Sequence, residues 1–256
     1  MSPSASQTFL FADLAGFTAL TEAHGDERAA DLVDDFVGQA RAVMGAYDAT
    51  EVKAIGDALM LRAPDAAQGV LLARRLATEI GGQHGFPGIR VGVHTGPAVA
   101  RGADWFGAAV NLASRVSGAA IAGQVLVTEA TRLAALDDLP QCEFRYAGEK
   151  RFKNVRDPVR VYAVVERSLA GRLPSHLSID PVCRMAVDRD RSQVERHYRG
   201  VEYRFCSAAC ARAFDAQPEH YHGQRSSRRM GRRGRRRWLS WPWRPRRRAN
   251  AKALGP

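Results

Sequence analysis

The sequence predicts an α+β fold, a β-sheet covered by helices in the order β-α-β-β-α-β with further strands at the end. Three observations predict it. Apolar residues recur at helical spacing over residues 26–47 and again over residues 64–80. Short apolar runs bounded by turn-forming residues alternate with those helices. The Gly56–Asp57 pair interrupts EVKAIGDALMLRA where a hairpin must turn.

Taken in order, TFLFADLAGFTAL opens with an apolar strand and passes into a helix near Gly16 and Phe17. The next helix places Ala30, Val33, Phe36, Val37, Ala40, Val43 and Met44 on one face. After the hairpin, Pro64 opens a second amphipathic helix carrying Val70, Leu71, Ala73, Leu76, Ala77 and Ile80, which Gly81, Gly82 and Gly85 end. IRVGVHTGPAVA reads as a buried strand and FGAAVNLASRVSGAA as a helix. QVLVT, CEFRYA and VRVYAVV supply the later strands.

Composition divides the chain. Residues 224–256 hold twelve Arg, one Lys and no acid, a charge of +13, while the whole chain carries +11. The remainder is therefore near neutral, and any polyanion argument applies to the tail alone. No apolar run approaches the roughly 18–20 residues of a membrane-spanning helix. MSPSASQTFL lacks the charged and apolar regions of a secretory signal, so a cytoplasmic protein is expected. In that setting Cys183, Cys206 and Cys210 suggest metal coordination before disulfides. Cys142, alone before a strand, reads as a small buried apolar residue.

Asp13 ends the first strand and Asp57 lies at the hairpin tip, so adjacent strands can hold two divalent cations between two carboxylates. The plainer possibility is that Asp13 caps a helix and Asp57 serves a turn. Asn111 and Arg115, four residues apart, share a helix face from which an amide and a guanidinium reach a ribose and a phosphoryl group. Lys53 and Asp104 taken singly are ordinary surface charges. His94 reads either as a general base or as a hydrogen-bonded strand histidine.

FADLAGFT, VKAIGDA, VGVHTGPAV, DWFGAAVNLASRV and GEKRFKNVRDPVRVYAV occur in that order at sensible intervals. Together they resemble the class III adenylate/guanylate cyclase catalytic domain over residues 7–165, which implies a ferredoxin-like βαββαβ core. The resemblance makes Asp13 and Asp57 the metal-binding pair for two Mg²⁺ or Mn²⁺, and Lys53 with Asp104 the pair that reads the base. It makes Asn111 and Arg115 the transition-state residues and Lys153 a phosphate-contacting lysine. FKNV stands where many members carry Leu-Lys-Gly, and ARGA before Asp104 is short.

Adenine offers an acceptor at N1 and an amino donor at N6. Lys53 only donates and ionised Asp104 only accepts, so the pair complements adenine and mispairs with guanine. The implied reaction is attack of the ribose 3′-hydroxyl of ATP on the α-phosphorus, giving cyclic AMP and pyrophosphate. The family resemblance further implies a head-to-tail homodimer in which each site draws residues from both chains. The rival expectation is a non-catalytic nucleotide- or metal-binding regulator that keeps the fold only for dimerisation. All of the catalytic positions are filled, which favours the enzyme.

DPVCRMAV and YRGVEYRFCSAACARAFDAQPEHY resemble a YHS (TRASH-like) domain. Cys183, Cys206 and Cys210 would there hold Zn²⁺ or Cu⁺, with Asp180, His220 and His222 as weak candidates for a fourth ligand. The expected organisation is a cyclase domain over residues 1–166, a linker over 167–178, the YHS unit over 179–222 and a disordered Arg/Trp-rich tail over 223–256. Three tryptophans among the tail arginines suit an anionic membrane surface, and less well nucleic acid. The tail equally reads as a solvated segment without a partner.

Overall fold

A computed structural model describes residues 6–167, 177–192 and 194–222. Most of the linker and the whole of the basic tail lie outside the described residues.

The chain opens with β1 (Ser6–Leu14), then α1 (Phe17–His24) and α2 (Asp26–Met44), separated by Gly25. The hairpin β2 (Thr50–Ile55) and β3 (Ala58–Ala63) follows, then α3 (Ala66–Arg75), which widens over its last turn, Leu76–Ile80. Asp65, not Pro64, caps α3, its side chain accepting from the Gln68 amide at 2.8 Å. β4 (Ile89–Pro97) leads into a small hairpin, β5 (Val99–Arg101) and β6 (Asp104–Phe106), and then α4 (Ala108–Gly118). β7 (Val125–Thr128), α5 (Glu129–Ala135), β8 (Cys142–Lys150) and β9 (Val159–Glu166) complete the first unit.

Seven of these strands form one sheet in the order β2-β3-β1-β4-β7-β9-β8. All neighbours are antiparallel except β4 and β7, which are parallel and joined through α4. β1 lies centrally and is buried on both faces, which explains its unbroken FLFADL run. Leu10, Ala12 and Leu14 pack with Leu32, Phe36, Val70 and Leu72 from α2 and α3. Phe9 and Phe11 face the other way, with Met60, against Ala109, Val110 and Ala113 of α4. Each fully buried Leu, Val, Phe or Met among them contributes about 1.5–3 kcal/mol.

The placement of α4 depends on Gly92 in β4. A Cβ there would fall 2.0 Å from the Ser117 nitrogen and 2.6 Å from the Val116 carbonyl carbon. The missing side chain lets the α4 backbone rest directly on the strand. Arg115 therefore has a fixed height above the sheet.

The Cys-rich unit comprises β10 (Leu177–Ile179), β11 (Ala186–Asp188), β12 (Glu195–Tyr198), β13 (Val201–Arg204) and α6 (Ala208–Ala216). It docks on the segment before β4. Gly85 N–H donates to the Ala186 carbonyl at 2.9 Å, Ala186 N–H to Phe86 at 3.0 Å, and Gly88 N–H to Arg184 at 3.3 Å. Val182, Met185, Phe205 and Phe214 join the same apolar cluster as Leu20, Phe86 and Ile89.

Candidate functional site

The turn between β2 and β3 presents Asp57 beside Asp13, because Gly56 (φ 60°) reverses the chain within two residues. β1 places Asp13 opposite Ala58 on one side and Arg90 on the other. Arg90 grips Asp13 through Nε at 2.7 Å and through Nη2. Burial, and then the adjoining Asp57 carboxyl, push the Asp13 carboxyl up to about 6 against the opposing pull of Arg90. Two adjoining carboxylates at a strand end and a turn form an oxygen-donor pair of the kind that fits a divalent cation.

At the sheet edge, Lys53 Nζ on β2 lies 2.6 Å from Asp104 Oδ2 on β6. The Trp105 amide donates to the other carboxylate oxygen at 2.7 Å. Lys53, followed by that amide, holds the Asp104 carboxyl below its ordinary range. The Lys53 ammonium also sits 5.8 Å from the Phe106 ring centroid. The pair remains accessible, with 40% and 32% of the two side chains exposed, so a ligand edge can approach both.

Asn111 and Arg115 stand one turn apart on α4, the former exposed and the latter half-buried. Arg115 Nε is buried with no hydrogen-bond partner among the described residues. A buried unpaired guanidinium nitrogen is costly and is satisfied by an incoming anion. Lys153 is exposed in the turn between β8 and β9. The structure thus joins Asp13 to Asp57 and Lys53 to Asp104, and Phe152, the neighbour of Lys153, packs in the cluster that holds Leu112 and Val116 of α4.

His94 is mostly buried on β4. Its Nδ1 pairs with Thr128 Oγ1 at 2.8 Å, and burial pushes the imidazole down to about 4. That geometry is structural. Cys142 is buried at the start of β8.

In the small unit, Cys183 and Cys206 Sγ lie 3.3 Å apart, and Cys206 and Cys210 Sγ 3.7 Å apart. His24, at the end of α1, brings Nε2 to 3.4 Å from Cys206 Sγ and 3.7 Å from Cys210 Sγ. The four ligand atoms all fall within 4.8 Å of one another. Donation from Cys183 and Cys206 pulls the Cys210 thiol far down, while the Cys183 thiol is pushed up.

Asp180 does not join this group. Its carboxylate accepts from the amides of Val182 (2.8 Å), Cys183 (3.4 Å) and Cys206 (2.8 Å), which fixes the cysteine-bearing loops. His222 Nδ1 pairs with Tyr203 Oη at 2.7 Å, and His220 is exposed. The sequence pointed to none of His24 or Arg90. No spacing ties residue 24 to a motif more than 150 residues later, and Arg90 acquires its partner only through strand register.

Residues 1–166 match the Adenylate and Guanylate cyclase catalytic domain. The chain belongs to that family. Residues 178–225 match the YHS domain. The cyclase domain is similar to a pH-sensitive adenylate cyclase of Mycobacterium tuberculosis, at 40% identity over 166 residues, 63% of this chain and 41% of the relative. It is also similar to an adenylate cyclase of Streptomyces griseus, at 38% identity over 117 residues, 46% of this chain and 29% of the relative. The chain thus spans less than half the length of these relatives. Among solved structures, the adenylyl cyclase CyaB from P. aeruginosa superposes with a TM-score of 0.55 at 25% identity, over 64% of this chain and 96% of that one. No helix among the described residues is long and apolar enough to cross a membrane.

Proposed function

We propose that this protein is an adenylate cyclase that converts ATP to 3′,5′-cyclic AMP and pyrophosphate at a site shared by two copies of the chain. The Lys53–Asp104 pair carries the ATP reading. An accessible donor and acceptor 2.6 Å apart match the N1 acceptor and N6 donor of adenine, whereas guanine presents the opposite polarity at those two positions.

The distribution of groups supports a shared site. Ile55, Val99 and Phe106 expose half their apolar surface beside the Lys53–Asp104 pair, a surface suited to a second copy. In a head-to-tail pair, Asp13 and Asp57 of one chain face Lys53, Asp104, Asn111 and Arg115 of the other.

Mg²⁺ or Mn²⁺ held by Asp13 and Asp57 would supply Lewis-acid charge at the ribose 3′-hydroxyl and the triphosphate. Asn111 orients the ribose. Arg115 places its unpaired guanidinium nitrogen against the charge that develops on the α-phosphoryl oxygens. Lys153 neutralises the leaving pyrophosphate.

Regulation of this chemistry by the YHS domain is supported by one contact. Arg184 lies over Gly16, where its Cγ would be 3.0 Å from an added Cβ, and Gly16 caps the helix directly after Asp13 and its loop. The metal or thiol state of the module is then felt at the cation-binding turn. The tail beyond residue 222 is proposed to hold the protein at anionic membrane surfaces. Sedimentation with anionic liposomes, compared with a chain ending at His222, tests this, and equal sedimentation refutes it.

The deciding assay is cyclic nucleotide formation from ATP and GTP in Mg²⁺ and in Mn²⁺. ATP-dependent product that falls by about a thousandfold in Asp57→Ala supports the reading. Mixing Asp13→Ala with Arg115→Ala should then restore about one quarter of wild-type activity, since half the dimers pair unlike chains and each has one intact site. No product under any condition, or no rescue on mixing, overturns the enzyme or the shared site respectively.

A further inference from the structure

The three YHS cysteines converge on a residue from the other domain. His24 is the last residue of α1 in the cyclase domain, and Gly25 turns the chain away immediately after it. Its Nε2 faces Cys206 and Cys210 at 3.4 and 3.7 Å, and the Cys183–Cys206 and Cys206–Cys210 separations are 3.3 and 3.7 Å. In a tetrahedral zinc site with ordinary bond lengths, two sulfurs stand about 3.8 Å apart and a sulfur and a nitrogen about 3.6 Å. Four of the six edges of such a tetrahedron are therefore already near these lengths, and the other two lie within 4.8 Å.

We propose that Cys183, Cys206, Cys210 and His24 form a Cys₃His site for Zn²⁺ whose histidine comes from the cyclase domain, so that the ion clasps the two domains together. Three thiolates alone would also suit Cu⁺. The imidazole nitrogen and four-fold set select Zn²⁺.

The surroundings favour a built site. Asp180 is fully buried and spends both carboxylate oxygens on the amides of Val182, Cys183 and Cys206, holding two of the sulfur-bearing backbones in place. Cys210 enters from α6, whose N-terminus is capped by Ser207. Cys183 and Cys210 are wholly buried, while Cys206 and His24 are half-buried, which leaves an entry path from one side.

The clasp has a mechanical consequence. α1 is capped by Gly16, three residues after Asp13, and ends at His24. The ion would anchor the far end of the helix that starts at the cation-binding turn. Lifting the YHS domain away would require breaking a metal–nitrogen bond.

The test uses the full chain under reducing conditions, stripped of metal and titrated with Zn²⁺ and with Co²⁺ as a spectroscopic probe. One equivalent should bind, with thiolate-to-cobalt charge-transfer bands and tetrahedral d–d bands. His24→Ala should weaken binding by at least about a hundredfold, and His24→Cys should keep tight binding with a spectrum shifted to four sulfurs. Metal should slow hydrogen exchange in residues 17–24 of the wild type and not of His24→Ala. X-ray absorption of the zinc-loaded wild type reads the ligand set even if both variants fold poorly. Three sulfurs and one nitrogen support the clasp. A sulfur-only shell, no metal uptake, or unchanged affinity and spectrum in His24→Ala overturns it.

Discussion

Gly92→Ala tests whether β4 sets the height of α4 and of Asn111 and Arg115, the proposed transition-state residues. The added methyl would stand 2.0 Å from the Ser117 nitrogen, 2.5 Å from its Cα and 2.6 Å from the Val116 carbonyl carbon, all of them backbone atoms. Contacts become ordinary only at 3.4 Å, so a gap of about 1.4 Å must open between β4 and α4. Backbone cannot swing aside as a side chain can, and the helix must move as a body. A displacement of about 1 Å at a reacting group costs about a hundredfold in rate, and overpacking costs about 1–3 kcal/mol in stability. The expected result is therefore a fall in kcat of about a hundredfold with a modest loss in urea stability and an intact fold. Gly118→Ala, at the end of the same helix with nothing within 4 Å of the new methyl, is the matched control and should be neutral or slightly stabilising. If Gly92→Ala keeps kcat within about threefold of wild type, the strand does not set the position of Asn111 and Arg115, and the reasoning fails.

Asp104→Asn should lower kcat/KM for ATP by about ten- to a hundredfold, because a charge-assisted acceptor becomes a mixed donor–acceptor, with a smaller change for GTP; equal losses for both nucleotides would remove Asp104 from base recognition. His94, held down to about 4 by burial against an ordinary 6.5, binds fewer protons when folded than unfolded. Its contribution is complete above the unfolded value and drains away as pH falls toward the folded one, about 2 kcal/mol between about pH 7.5 and about pH 5. Urea unfolding of wild type and His94→Gln at both pH values should show that extra loss only in the wild type. Asp180→Ala strands three buried amides and should destabilise the YHS fold by about 2–4 kcal/mol in chemical unfolding followed at that domain; an unchanged midpoint would mean that water replaces the carboxylate.

Much of the fold was legible because burial leaves a pattern. β1, β4 and β7 are apolar runs since both faces of the central sheet are covered, and α2 repeats its apolar residues because only one face is. Elements whose stability comes from elsewhere left no such trace. The β5–β6 hairpin has only three residues a side and is largely exposed, so it has no alternation to read. α5 is seven residues long and follows β7 without a break, its start marked only by the Thr128 cap. β4 also stops at Pro97 rather than running on to Ala100. Site residues on regular elements, Asp13, Lys53, Asn111 and Arg115, were visible through their motifs. His24 and Arg90 were not, because their partners come from docking and strand register. Asp180 misled by type. A carboxylate near cysteines suggests a ligand, whereas the D-P-V-C turn uses it to accept amides.

The two domains share one apolar cluster, in which Leu20, Phe86 and Ile89 meet Val182, Met185 and Phe205. A boundary that is sharp in sequence is thus bridged by shared apolar packing. The chain should lose both domains in a single calorimetric transition rather than in two. Excising the shorter domain would also strip a wall from the longer one and expose an adhesive face beside β4. If that single transition is found, the smaller domain is better probed by point substitution than by truncation.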